Sequence, residues 1–138
     1  MVVIPETYNR IYYKENITVS AGEEVEVVTV KFSQAEKITV IIRTTYDAGA
    51  SVGMNLRGTY FIGTDYVNTD DLFNFTQTVV AGGTQQDMIR IDVPPTGNVT
   101  IYLLNDDSVD ATVSVWVFVE KKSGGIEDAT FDEPPTVT

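Results

Sequence analysis

Residues 111–120, Ala111-Thr-Val-Ser-Val-Trp-Val-Phe-Val-Glu120, alternate without a break. Ala111, Val113, Val115, Val117 and Val119 fall on one face, and Thr112, Ser114, Trp116, Phe118 and Glu120 on the other. A side-chain period of two belongs to an extended strand, whereas a helix would spread the valines around its circumference. β-Branched residues also pack well on a pleated surface.

The same period runs back through the chain. Val99, Ile101 and Leu103 share a face over 98–104, as do Ile89, Ile91 and Val93 over 87–93. Ile38, Val40 and Ile42 do so over 37–44, opposite Lys37, Thr39, Ile41 and Arg43. Residues 51–62 read as the longest strand, with Gly58 marking a bend or a close backbone approach. Over 24–32 the apolar set moves from odd to even positions at Val27-Val28, which predicts a bulge or burial on both faces. Residues 16–20 and 72–80 complete the set. Pro94-Pro-Thr-Gly97 reads as a turn, Asn105–Asp110 as the turn of a hairpin joining the last two strands, and 63–71 as a polar loop. About eight strands at this spacing predict an all-β, antiparallel β-sandwich or barrel without a helix.

The sandwich is expected over 16–122. Residues 1–15 read as an N-terminal arm, with Pro5 breaking strand pairing and Ile11, Tyr12 and Tyr13 as adhesive anchors. Residues 123–138 read as an acidic tail after a Ser-Gly-Gly hinge, anchored by Ile126 and Phe131. Both flanks are expected to pack on another subunit or wrap their own domain.

The 138 residues contain no histidine and no cysteine. Histidine is the commonest metal ligand and general base, and a cysteine thiolate is a ready nucleophile. No Gly-x-Ser-x-Gly or Ser-x-x-Lys run is present, and Gly82-Gly83 lacks the helix a phosphate cradle needs. Glu24 and Glu26, roughly 7 Å apart on one strand face, read as a solvated outer face. The chain is therefore expected not to be an enzyme and to need no cofactor. Its net charge of −11, from 20 acidic and 9 basic residues, opposes nucleic acid and anionic membrane. The start shows no signal segment and no stretch suits a membrane span, so synthesis in the cytoplasm is expected if Met1 is the true start.

Two binding constellations remain. The segment Asp65-Tyr-Val-Asn-Thr-Asp-Asp71 concentrates oxygen ligands suited to Ca²⁺, with Asp65, Asn68, Asp70 and Asp71 as candidates. Turn chemistry explains the same residues, and no metal is assigned. Trp116 and Phe118, set beside Tyr102 if the last hairpin pairs as read, could form a subunit interface, stack on sugars, or be buried within the sandwich or under an arm.

The order from the long strand through Gly63-Thr-Asp-Tyr66, Asp70-Asp71, Phe73-Asn-Phe75 and a Pro-x-Gly turn to Val99–Asp107 and a Val-rich last strand resembles small β-sandwich virion proteins of phages and archaeal viruses. The resemblance spans roughly residues 24–120 and rests on patterning rather than on a motif. It implies a jelly-roll sandwich in a virion, decorating a capsid or another shell protein, with homo-oligomers (trimers above all) and exchanged arms. The expected mechanism is adhesive: an arm adds to a strand edge or groove of a neighbour. One alternative is a carbohydrate-binding module using Trp116, Tyr102 or Tyr60. Another is an extracellular fibre subunit assembling by donor-strand exchange.

Overall fold

The computed structural model describes residues 8–62, 65–94 and 96–121. They form eight strands: β1 (Tyr8–Val19), β2 (Glu24–Phe32), β3 (Ala35–Tyr46), β4 (Asn55–Ile62), β5 (Asp65–Thr76), β6 (Thr84–Asp92), β7 (Gly97–Leu104) and β8 (Ala111–Lys121). All pairings are antiparallel, in two four-stranded sheets of order β1-β8-β3-β6 and β2-β7-β4-β5. This order is that of a jelly roll, in which successive strands cross between sheets as Greek keys. Only β4 and β5 are consecutive partners within one sheet. No helix occurs among the described residues, so none there is long and apolar enough to cross a membrane.

The core lies where the period-two pattern puts it. Ile38, Val40 and Ile42 of β3 and Val113, Val115, Val117 and Val119 of β8 are fully buried. They meet Val30, Leu56, Val99, Ile101 and Leu103 from the other sheet. Each such side chain contributes about 2 kcal/mol by leaving water. The bulge foreseen at Val27-Val28 is present, as the β2–β7 register slips between Glu26 and Val28. It turns Val25 and Val27 inward before the slip and Val30 and Phe32 after it. Gly58 is a close approach: a Cβ there would lie 2.1 Å from the Phe73 ring.

Four expectations change. The first concerns residues 8–15, which are not an arm but the first part of β1, paired with β8 from Tyr8↔Glu120 inward. A bulge between Lys14 and Ile17, where Asn16 takes a φ of 56°, switches the inward set from even to odd positions. That switch hid the strand's continuity. The second concerns residues 65–71, which are not a loop but the start of β5, opposite a register break at Thr59–Phe61. Third, β7 and β8 do not form a hairpin. They belong to opposite sheets, and Asn105–Asp110 arches between them. Fourth, the long strand at 51–62 starts later, at Asn55, and every other described strand except β7 exceeds it.

The acids of this end brace loops. The Asp107 carboxylate accepts N–H bonds from Ser51 and Val52 (both 2.8 Å) and Ser108 (2.7 Å), tying the β7–β8 arch to the β3–β4 loop. The N–H groups of Val52 and Ser51 hold its carboxyl below the usual carboxylate range. Asn105 donates to the carbonyls of Val19 (2.9 Å) and Val109 (2.8 Å). Asp110 accepts from the Ala21 N–H (2.9 Å).

Candidate interaction face

The outer face of the β1-β8-β3-β6 sheet carries an apolar row. In register, Tyr13 faces Trp116, Trp116 faces Ile41, and Ile41 faces Met88, one residue from each strand. At the usual strand spacing the row runs about 15 Å across the whole sheet. Its ends are the most open, Tyr13 at 62% exposure and Met88 at 64%. Trp116 and Ile41 are half-buried.

The row is framed by polar contacts that orient its rings. The Trp116 Nε1–H donates to Glu15 Oε2 (3.2 Å). The Arg43 guanidinium sits over the Trp116 ring, 5.1 Å from its centroid, and its Nε donates to Gln86 (3.2 Å). A cation over an indole face is attracted by the ring quadrupole. On the other flank Phe118 registers with Ile11 and Thr39, and Arg90 pairs with Glu120 (2.6 Å). Lys37 and Asp92 form an ion pair that raises the lysine pKa and lowers that of the aspartate.

The expected site residues separate accordingly. Trp116 and Phe118 share this face with Tyr13, but Tyr102 does not, because β7 belongs to the other sheet. Tyr102 lies instead under the Arg57 guanidinium, 4.5 Å from its ring centroid. Tyr12 points the other way from Tyr13. It packs against the core, and its hydroxyl donates to the Lys31 carbonyl of β2 (3.1 Å), clasping the two sheets along one side. Ile126 and Phe131 lie outside the described residues. Of the calcium candidates, Asp71 is bound to Arg57 (3.1 Å) and Asn74 (3.5 Å). Asp65, Asn68 and Asp70 lie on β5, their side chains outside the described set. Among the described residues no group of acids gathers as a metal cage.

Ile41 and Met88 are the members that sequence reading missed. The available signal was an apolar residue on the face that alternation assigns to solvent: Met88 sits between the inward Asp87 and Ile89 positions.

No protein-family model matches the chain, and no curated protein matches it in sequence. By structure it is similar to a chain of infectious bursal disease virus Gx strain, with TM-score 0.58, 14% identity, and coverage of 85% of this chain and 33% of that one. It is also similar to tripeptidyl peptidase 2, with TM-score 0.60, 7% identity, and coverage of 85% and 10%. A third likeness is to the CBM22-1–GH10 modules of the Clostridium thermocellum xylanase 10B, with TM-score 0.51, 12% identity, and coverage of 87% and 27%. The chain spans a third or less of each of these proteins. At such identities the likeness shows the shared sandwich fold.

Proposed function

We propose that this chain is a non-enzymatic structural protein of a particle surface, decorating a virion capsid and assembling with copies of itself and with a shell protein. The observation that carries this reading is the exposed row Tyr13–Trp116–Ile41–Met88 on the outer sheet face. Aromatic and methionine side chains are enriched at protein interfaces, and charged residues are depleted from interface centres. The jelly-roll neighbours among virus particles agree with it. With residues 8–15 built into β1, adhesive flanks are left to 1–7 and 122–138. Tyr8 pairs with Glu120, so the start of β1 and the end of β8 lie at one corner of the sandwich.

Sugar binding has less support. Tyr60 is buried inside the sandwich with its hydroxyl on the Thr96 carbonyl (2.7 Å). Guanidinium groups lie over Trp116 and Tyr102, where a sugar ring would stack.

Light scattering of the full chain and of a version lacking residues 123–138 tests the proposal. The full chain is expected as an oligomer, trimeric if the resemblance extends to subunit number. The shortened chain is expected to keep its β-sheet circular dichroism while its oligomer weakens. An unchanged oligomer would remove the tail from the mechanism, and a full chain that stays monomeric at every concentration would overturn the assembly reading.

A further inference from the structure

The two sheets have four edge strands, and three of them are interrupted. The ladders of β1, β2 and β5 each contain register breaks. β6 does not: its pairing with β3 runs unbroken from Lys37↔Asp92 to Thr45↔Thr84. No described strand pairs on its far side. Edge strands are normally blunted by bulges, prolines or covering loops, and a regular open one is a template for another strand. Thr84–Asp92 contains no proline and no glycine.

The direction of its main-chain groups follows from two hydrogen bonds at the ladder's ends. Tyr46 N–H donates to the Gly83 carbonyl (2.9 Å), and Val93 N–H donates to the Glu36 carbonyl (3.1 Å). Both pairs lie in the register of the β3–β6 ladder, so odd-numbered residues of β6 turn their N–H and C=O toward β3. The even-numbered Thr84, Gln86, Met88, Arg90 and Asp92 therefore turn theirs outward, to the open side. Met88 is the midpoint of the strand and carries the most exposed large apolar side chain among the described residues.

We propose that β6 is a self-association edge: a second copy adds its own β6 antiparallel, about a two-fold axis at Met88, so that two four-stranded sheets become one continuous sheet. Full overlap selects this register, because Met88 is the midpoint of the nine-residue strand, and charge permits it. With Met88 opposite Met88 of the second copy, Arg90 faces Gln86, Asp92 faces Thr84 and Asp87 faces Ile89. No like charges meet, which matters in a chain of net charge −11. Each facing pair of even-numbered residues exchanges two main-chain hydrogen bonds. The half-buried Ile89 and Ile91 gain cover from the arriving strand. The apolar row of one copy then runs through the two methionines into the row of the other. The inference deepens the assembly reading by naming the contact. A two-fold here combined with a three-fold elsewhere closes a hexamer, and alone it gives a dimer.

The full chain has no cysteine, so single-cysteine variants read the register directly. Facing residues in a hydrogen-bonded pair lie about 5.5 Å apart at Cα, within disulfide range. Under oxidised glutathione, Met88→Cys is expected to run as a covalent dimer on a non-reducing gel, while Arg90→Cys, displaced from the axis, stays single. Met88→Lys sets two ammonium groups against each other across the axis. It should abolish the two-fold contact in sedimentation while leaving the β-sheet circular dichroism of the folded chain unchanged, because both its side chain and its N–H face outward. Equal cross-linking of both cysteine variants would overturn the register. An oligomer whose size is unchanged by Met88→Lys would overturn this contact while leaving the assembly reading intact, and a parent chain that is monomeric throughout would overturn both.

Discussion

The two sheets share a core but differ on their outer sides. The β1-β8-β3-β6 sheet shows an apolar row and a regular open edge. The β2-β7-β4-β5 sheet shows Glu24, Arg57, Asp71, Asn55 and Asn74 in a web of ion pairs and amide bonds, and its ladders slip at Val27, Gly58 and Thr59. Charge follows the same division. Arg10, Lys14, Lys37, Arg43, Arg90 and Lys121 lie on strands of the first sheet, against Lys31 and Arg57 on the second. In an acidic protein the first sheet is thus the side that repels a second copy least. One sheet is shaped to be extended, and the other to end in water.

Breaking the second sheet at its root is expected to have the largest effect. Gly53 leads into β4, and a Cβ there would lie 1.7 Å from the Gln77 carbonyl oxygen, which is main chain and cannot swing aside. The neighbouring Gln77 N–H to Met54 carbonyl bond (2.9 Å) starts the β4–β5 pairing. Gly53→Ala should cost about 3 kcal/mol in denaturant unfolding, toward the upper end for overpacking. A loss no larger than that of an ordinary surface change would show that the loop relaxes freely.

The loop end that joins both sheets should be sensitive to acid. Asp107 has its carboxyl depressed by the Val52 and Ser51 N–H groups. A depressed carboxyl contributes stability that is complete above its unfolded value of about 3.9 and disappears as pH falls through its lower folded value. Asp107→Asn should therefore lower stability at neutral pH and flatten the decline below about pH 4. Parallel unfolding curves for parent and variant across that range would remove Asp107 from the acid response.

The smallest effect is expected on the polar outer face. Arg57 bridges Glu24 (2.7 Å) and Asp71 (3.1 Å) and covers Tyr102. Partly exposed pairs contribute little once screening and side-chain entropy are counted, so Arg57→Met should change stability by about 1 kcal/mol or less. A larger loss by thermal melting would mean that this face is organised as tightly as the core.

The strands and their inward faces were legible because burial writes a period of two into the residues, most plainly at Val113–Val119. The bulge at Val27 was legible because an extra residue reverses that period. Partners were not legible. Alternation states which face a side chain takes, not which strand lies beside it, and a six-residue polar arch at Asn105–Asp110 reads like a hairpin turn. The candidate face was half legible. Trp116 and Phe118 stood out on an otherwise polar face, but their union with Tyr13, Ile41 and Met88 needs the sheet order. Acids at 65–71 resembled a loop because strand and turn chemistry overlap wherever Asp, Asn and Thr mix.

The pairing of Tyr8 with Glu120 has a mechanical consequence. A load applied between the two flanks enters the sandwich at one corner and falls on the first β1–β8 hydrogen bonds alone, then on the next. Peeled in this way, the strands part in sequence and at low force. A pull entering at opposite corners would instead have to shear the whole ladder at once, so tethering by both flanks would make β1 the element that yields first under tension.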